Sequence, residues 1–341
     1  MARLPPEVAD LVIDNLRGDL ATLRTCGLVS HNWLATSRYH LYDAVYLPHR
    51  NIDTFLDLLQ SPCNTFAFRL RGLYVAAFQY APDLPPRGVD SPHLPFLDFF
   101  ALYSAQFYSY DKLTAFLLQF PSVKTLKLVH VTCGAEPGPS QKAMLPFHFN
   151  ALEFTLNPGI MGWLKSLDFS LGAPCLIVDF AQLESGFGDY LKSQGKVLCQ
   201  LTLKFRAESQ LSIFSEQPVL QSLAGLRSLT ITHCFTISGE DHIRVAPALV
   251  RLLRQLACSQ LEQLVFIAAL APGIELASGS PSDAAELLEG VEFASLTRIE
   301  FYGPWDSRDD ILGRQFKSAI SALLPVQAAR GVVHVGAHRY E

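Results

Sequence analysis

Several chemistries are missing from this chain of 341 residues before any pattern is sought. There is no block of Lys or Arg, and 27 basic against 32 acidic residues leave a net charge of −5, which argues against nucleic acid or an anionic membrane as the main partner. No Gly-rich phosphate loop, dinucleotide fingerprint or G-x-S-x-G elbow occurs, so the common nucleotide-binding and serine-hydrolase sites have no sequence basis. No apolar run reaches the roughly 18 residues of a membrane span, and the start MARLPPEVAD has no basic segment leading into an apolar one. The chain is therefore expected to be soluble and to work in the cytoplasm or nucleus. Its seven cysteines (Cys26, Cys63, Cys133, Cys175, Cys199, Cys234 and Cys258) are scattered and never spaced C-x-x-C, the pattern of reduced, buried small hydrophobes. No metal and no cofactor are expected.

What is present is apolar and patterned. Hydrophobic residues make up 49% and charged residues 17%, a composition that folds around a large core. At this length the chain holds two domains or one extended repeat array. Near the start, Pro5 and Pro6 suit a first helical turn, where a missing amide donor is unpaired in any case. Val8, Leu11, Val12 and Leu16 follow at steps of three and four, Glu7 and Asp10 sit where the helix dipole favours anions, and Gly18 is the stop. Asp19 is the cap of a second short helix with Leu20, Leu23 and Cys26, broken at Gly27; Ser30 caps a third with Trp33, Leu34, Ser37 and Leu41. About forty residues make only a marginal core, so part of this apolar surface must face something else.

The order Leu4-Pro5-Pro6-Glu7-Val8, the pair Val12-Ile13, then Leu23, Cys26, Leu28-Val29-Ser30 and Trp33 resembles the F-box, the helical module that docks F-box proteins onto the Skp-type adaptor of cullin-RING ubiquitin ligases. The likeness runs from about Leu4 to Leu47, including a tail SRYHLYDAVYL similar to that of many fungal members. One departure is Ser30-His31-Asn32 before Trp33, where many members carry Cys and a basic residue. The resemblance implies a three-helix domain over residues 1–47 that meets the adaptor through Leu4, Pro5, Val8, Leu16, Leu23, Cys26, Leu28, Val29 and Trp33. The alternative is a three-helix cap in which Trp33 is core.

Beyond Leu47 one phrase recurs: an aliphatic, two variable residues, then aliphatic, variable, aliphatic. It appears as LRGLYV (70–75), VKTLKL (123–128), ALEFTL (151–156), VLCQLTL (197–203), LRSLTI (226–231), LEQLVF (261–266), LTRIEF (296–301), and more weakly as LIVDF (176–180) and RGVVHV (330–335). Period-two alternation predicts short strands with one buried face. Helical patterns lie between them, at Asp111–Leu118, Gly162–Lys165, Asp189–Lys192, Ala248–Leu256, Asp283–Gly290 and Phe316–Leu324. A strand and a helix cannot cover both faces of such a unit, so neighbours must stack. The steps are about 23 to 35 residues, with one of about 53 between LRGLYV and VKTLKL. The expected fold is α/β: the F-box, then over residues 48–341 an irregular leucine-rich-repeat-like solenoid of parallel strands with helices on its convex side. It resembles the divergent repeats that follow the F-box in many fungal proteins, although the asparagine of a standard repeat is mostly missing. A doubly wound nucleotide-binding sheet, the other fold that alternates strand and helix, lacks its glycine-rich turn here.

Candidate chemistry is thin. His130 with Cys133 and His233 with Cys234 fall just past two strands and read as turn residues, since zinc needs four convergent ligands. Cys26 near His31 and His40 lacks an orienting acid for a thiol nucleophile, and Asp309-Asp310 reads as a helix cap. Two binding surfaces stand out. Outward positions at mid-strand (Tyr74, Lys127, Thr155, Thr202, Thr230, Val265, Glu300 and His334) are expected to line the concave face and meet a target protein. An insertion at about 79–110 carries Pro82, Pro85, Pro86, Pro92 and Pro95, then Phe96, Phe99, Phe100, Tyr103 and Phe107, whose spacing predicts a buried helix. The combination implies a substrate receptor of an SCF-type cullin-RING ligase, not itself an enzyme, with a Skp-type adaptor and a target protein as partners. A repeat scaffold whose F-box is only a cap is the alternative.

Overall fold

The computed structural model of the chain describes residues 5–61, 67, 69–76, 94–134, 148–167, 171–182, 184, 186–238, 242–256, 260–268, 281–290, 293, 295–303, 305 and 310–337. They belong to two compact units, residues 1–149 and 150–341, each a mixed α/β body.

The first unit starts with α1 (Pro6–Asn15), α2 (Leu20–Val29) and α3 (His31–Leu41). Proline opens α1, Asp19 accepts the Thr22 amide at the start of α2, and the Ser30 hydroxyl accepts the Asn32 amide at the start of α3, so all three starts follow the sequence. Gly27 does not break α2. It lies within the helix, where an added Cβ would sit 3.6 Å from Leu34 Cδ1 and 3.7 Å from Ser37 Cβ. Its smallness serves the close approach of α3 rather than a turn. Thr36 donates to Asp10, and His40 Nε2 meets Asp14 Oδ1 at 2.7 Å, tying α3 to α1.

From α3 the chain runs into β1 (Ala44–Pro48), so a boundary at Leu47 falls inside a strand. Then follow α4 (Ile52–Gln60), β2 (Gly72–Ala76), β3 (Phe99–Tyr103), β4 (Gln106–Phe107), α5 (Tyr110–Leu117), β5 (Thr125–Val129) and β6 (Thr132–Cys133). Strands β1, β2, β3 and β5 pair in that order, all parallel, and β4 pairs with β6. The expected helix through Phe99 and Tyr103 is a strand instead, and the reason is visible in its packing. Phe100 turns inward against Phe116 and Phe120 of the α5 region, while Phe99 turns outward against Tyr74. Apolar residues on both faces hide the period of two. The strand divides the long step into about 27 and 26 residues, so the gap contains a repeat. The proline-rich stretch from Pro82 to Pro92 lies outside the described residues.

The second unit contains β7 (Ala151–Leu156), α6 (Pro158–Ser166), β8 (Cys175–Phe180), α7 (Phe187–Ser193), β9 (Gln200–Lys204), α8 (Glu208–Ser215), β10 (Ser228–Thr232), β11 (Phe235–Ser238), β12 (His242–Val245), α9 (Pro247–Arg254), β13 (Gln263–Ile267), α10 (Pro281–Glu289), β14 (Arg298–Gly303), α11 (Asp310–Leu323), α12 (Pro325–Ala329) and β15 (Val333–Ala337). Strands β7, β8, β9, β10, β13, β14 and β15 pair in sequence order, all parallel, while β11 and β12 form a hairpin. Every strand phrase found in the sequence is present, the two weak ones as β8 and β15.

Seven of the parallel pairings share one backbone device. The carbonyl just before a strand accepts two consecutive amides at the start of the next, at 2.8–3.1 Å: Asp43 from Arg71 and Gly72, Arg71 from Asp98 and Phe99, Asp98 from Lys124 and Thr125, and likewise Pro174, Cys199, Arg227 and Glu262. Inward residues then stack in rows. Phe154 meets Phe187 and Tyr190 of α7, and Phe180 lies on Phe205 at 4.6 Å between ring centroids and packs on Phe214 of α8.

Candidate protein-binding surfaces

On the three N-terminal helices the buried residues are Ala9, Ile13, Leu23, Cys26 and Ser37. On α1, Ala9 and Ile13 occupy one side, the side whose neighbours Asp10 and Asp14 bond to α3. Val8, Leu11 and Val12 therefore point away and are exposed, Leu11 at 64%. Leu20 is exposed as well, and at the end of α2 Leu28 stands 88% and Val29 65% exposed.

Of the nine residues assigned to an adaptor, Pro5, Val8, Leu28 and Val29 are exposed and Leu16 and Trp33 half-buried. Leu23 and Cys26 are corrected: both are buried, because on α2 they turn toward the core, and they can only support the face from beneath. Leu4 lies outside the described residues. Leu11, Val12 and Leu20 belong to the exposed set and were missed because the adaptor residues were taken from the resemblance, while the apolar periodicity of α1 did not say which of its members face water.

The outward strand positions fall into rows fixed by register. In the first unit Tyr46, Tyr74, Ala101 and Lys127 align. In the second, Glu153, Ile177, Thr202, Thr230, Val265, Glu300 and His334 align. Thr155 is out of this row, two residues further along β7 opposite Asp179, and only 1% exposed. Val265 is buried too. Glu300 is 5% exposed, and its oxygens accept from Gln263 Nε2 at 2.9 Å, from the Tyr302 hydroxyl and from the Arg298 guanidinium, so it serves the protein internally. Thr155, Val265 and Glu300 are therefore corrected as target contacts; Tyr74, Lys127, Thr202 and Thr230 are half-exposed and His334 exposed.

The remaining charges of the second unit's outward face also pair among themselves. Arg206 holds Asp179 with two bonds of 2.9 and 2.7 Å, and Lys204 donates to Glu153 at 2.9 Å. Tyr302 has its hydroxyl pKa raised because Glu300 accepts its proton's hydrogen bond. His130 and His233 occupy the same place one residue after β5 and β10, with left-handed φ of 54° and 56°. Ser104, φ 50°, does so after β3. They are turn residues, as the sequence suggests, and the next residue in each case (Ala105, Val131, Cys234) is buried. Burial lowers the His233 pKa, with Asp179 acting weakly the other way. Burial also pushes the Cys133 thiol up to about 12 and raises Cys175 and Cys234, which keeps these thiols protonated and poorly nucleophilic. Among the described residues, no group of three or more His, Cys, Asp or Glu is placed to hold a metal ion, and no helix is long and apolar enough to cross a membrane.

Compared with known proteins, the chain matches no family model and no curated sequence.

Proposed function

We propose that this protein is the substrate-recognition subunit of an SCF-type cullin-RING ubiquitin ligase: α1–α3 are an F-box that docks a Skp-type adaptor, and the strand–helix repeats, a divergent leucine-rich-repeat-like array, hold a target protein. Its mechanism is positional. A target held beside a charged ubiquitin-conjugating enzyme meets it at high effective concentration, and no catalytic group of this chain takes part.

The observation that carries this reading is the exposure of Leu28 and Val29 at the end of α2, beside a sequence order similar to the F-box. Large aliphatics left in water on a small helical module are a cost that a partner removes: burying each contributes roughly 1.5–3 kcal/mol. A second reading, a non-ligase scaffold capped by these helices, draws on the direct run of α3 into β1, the first strand of the parallel set. Co-purification with the adaptor separates the two. The receptor reading expects a complex that Leu28→Asp abolishes while the melting temperature is unchanged; a wild-type chain that captures no adaptor leaves the scaffold.

A further inference from the structure

The second unit's parallel set ends on β15, which pairs with β14 alone among the described residues. That pairing uses only half of its backbone. Val333, Val335 and Ala337 stand in register with Ile299, Phe301 and Gly303, and the Ile299 amide donates to the Val332 carbonyl at 2.8 Å. In a parallel ladder the amide and carbonyl of one residue face one neighbour and those of the next face the other, so Val332, His334 and Gly336 serve β14. The amides and carbonyls of Val333, Val335 and Ala337 therefore point out of the sheet edge, and no described residue takes them up. The side chains are bare as well. Ile299 and Phe301 are buried, yet Val333, Val335 and Ala337 on the same side of the sheet are only half-buried, and His334 on the other side is exposed.

Edges left in water are blunted by charge, proline or a bulge. β1, the outer strand of the first unit, follows that rule: the Asp43 carbonyl bonds to β2, so alternation turns Ala44, Tyr46 and Pro48 to the free side, where Pro48 has no amide to offer. Val332 to Ala337 contains no Asp, Glu, Lys, Arg or Pro, and no bulge interrupts its register. We propose that β15 pairs antiparallel with β15 of a second copy of this chain, about a two-fold axis at Val335. The segment is complementary to itself in this register. Val335 meets Val335 and Val333 meets Ala337, so each free amide of one copy finds a free carbonyl of the other, and the half-bare valines cover one another. His334 falls opposite Gly336, where the strands come closest and the glycine leaves room for the ring. Moving the axis to His334 sets two imidazoles face to face and brings Ala337 opposite Gly331, whose φ of 72° is not that of a strand. Two-fold pairing consumes the edge on both copies, so assembly stops at two.

The test is sedimentation of the purified full chain over a range of concentrations, with three variants beside it. The wild type is expected to pass from one copy to two at micromolar concentration. Val335→Pro removes an amide that β14 does not use, so it should weaken association at least about tenfold and leave the circular dichroism spectrum unchanged. Val335→Cys should link two copies on mild oxidation beyond the wild-type level, because directly opposed residues have Cα atoms about 5.5 Å apart, within disulfide reach. Val333→Cys, whose counterpart lies roughly 13 Å away along the strand, should not. The link is a gain that misfolding cannot mimic. A wild type that stays single up to about 100 μM, a dimer that Val335→Pro leaves as tight, or Val333→Cys linking as readily as Val335→Cys overturns the proposal. A single chain that instead takes up an extended peptide, which Val335→Pro refuses, overturns it in favour of a strand from another protein. Adaptor binding has no part in these readouts, so failure here leaves the receptor reading untouched.

Discussion

Leu28 and Glu300 sit where their polarity is least at home, the leucine 88% exposed and the carboxylate 5% exposed. Sequence alone cannot separate these two fates, because each is decided by residues far along the chain. Glu300 is dry because Gln263, 37 residues away, reaches it from the neighbouring strand. Leu28 is wet because it stands at the end of α2 off the side on which Leu23 and Cys26 are buried. Leu28→Asp should therefore change stability by less than about 0.5 kcal/mol in chemical denaturation. Gly195 is the opposite case. A Cβ there would lie 2.3 Å from the Ser222 carbonyl oxygen, so Gly195→Ala should cost about 1–3 kcal/mol and lower the denaturation midpoint. His233 gives the molecule an acid-side weakness. Its folded pKa lies below the unfolded 6.5, so the unfolded chain binds the extra proton, and stability falls as pH drops through 6.5 until the depressed folded value is passed. His233→Asn keeps a residue that tolerates the left-handed turn and removes the titration. The difference in stability between variant and wild type should grow in the variant's favour below pH 6.5 and be flat above it.

Elements with one buried face were legible, and elements apolar on both faces were not. β5 alternates Leu126 and Leu128 with Lys127 and was read at once; β3, Phe-Phe-Ala-Leu-Tyr, carries no such contrast and was taken for a helix. β1 was absorbed into the tail of the helical resemblance for the same reason, since Val45 and Leu47 follow a helix without a break in composition. The caps at Asp19 and Ser30 were legible because their chemistry is local; Asn157, which was not read, does the same for α6, accepting the Ile160 amide at 3.0 Å, and Asn157→Ala should cost about 1 kcal/mol, visible as a lower melting temperature. The charges at the strand starts of the first unit were not read, although they alternate. Asp43, Arg71, Asp98 and Lys124 form a row joined at 4.0, 3.7 and 2.7 Å, each pair partly exposed and worth little alone. Asp98→Lys sets three cations side by side. It should destabilise by roughly 1 kcal/mol at low salt and less at high salt, a dependence that melting curves at two ionic strengths resolve.

At the scale of the whole molecule, two kinds of exposed apolar surface stand out among the described residues. The three helices keep a minimal core of Ala9, Ile13, Leu23 and Cys26 and leave aliphatics outside, while the outward strands of the first unit leave rings outside. The former was anticipated from the order of residues near the N-terminus. The latter was only half visible, since Tyr74 and Lys127 were picked out but Tyr46, Phe99 and Tyr103 depend on strands that the pattern did not reveal. A receptor needs one surface for the ligase and one for the target, and neither asks the chain for a nucleophile. The most direct test is calorimetric titration of the purified full chain with a purified Skp-type adaptor. The receptor reading predicts one-to-one binding that Leu28→Asp weakens by at least about 30-fold, the loss of about 2 kcal/mol of burial, with the melting temperature retained. No binding by the wild-type chain, or equal binding by the variant, contradicts it.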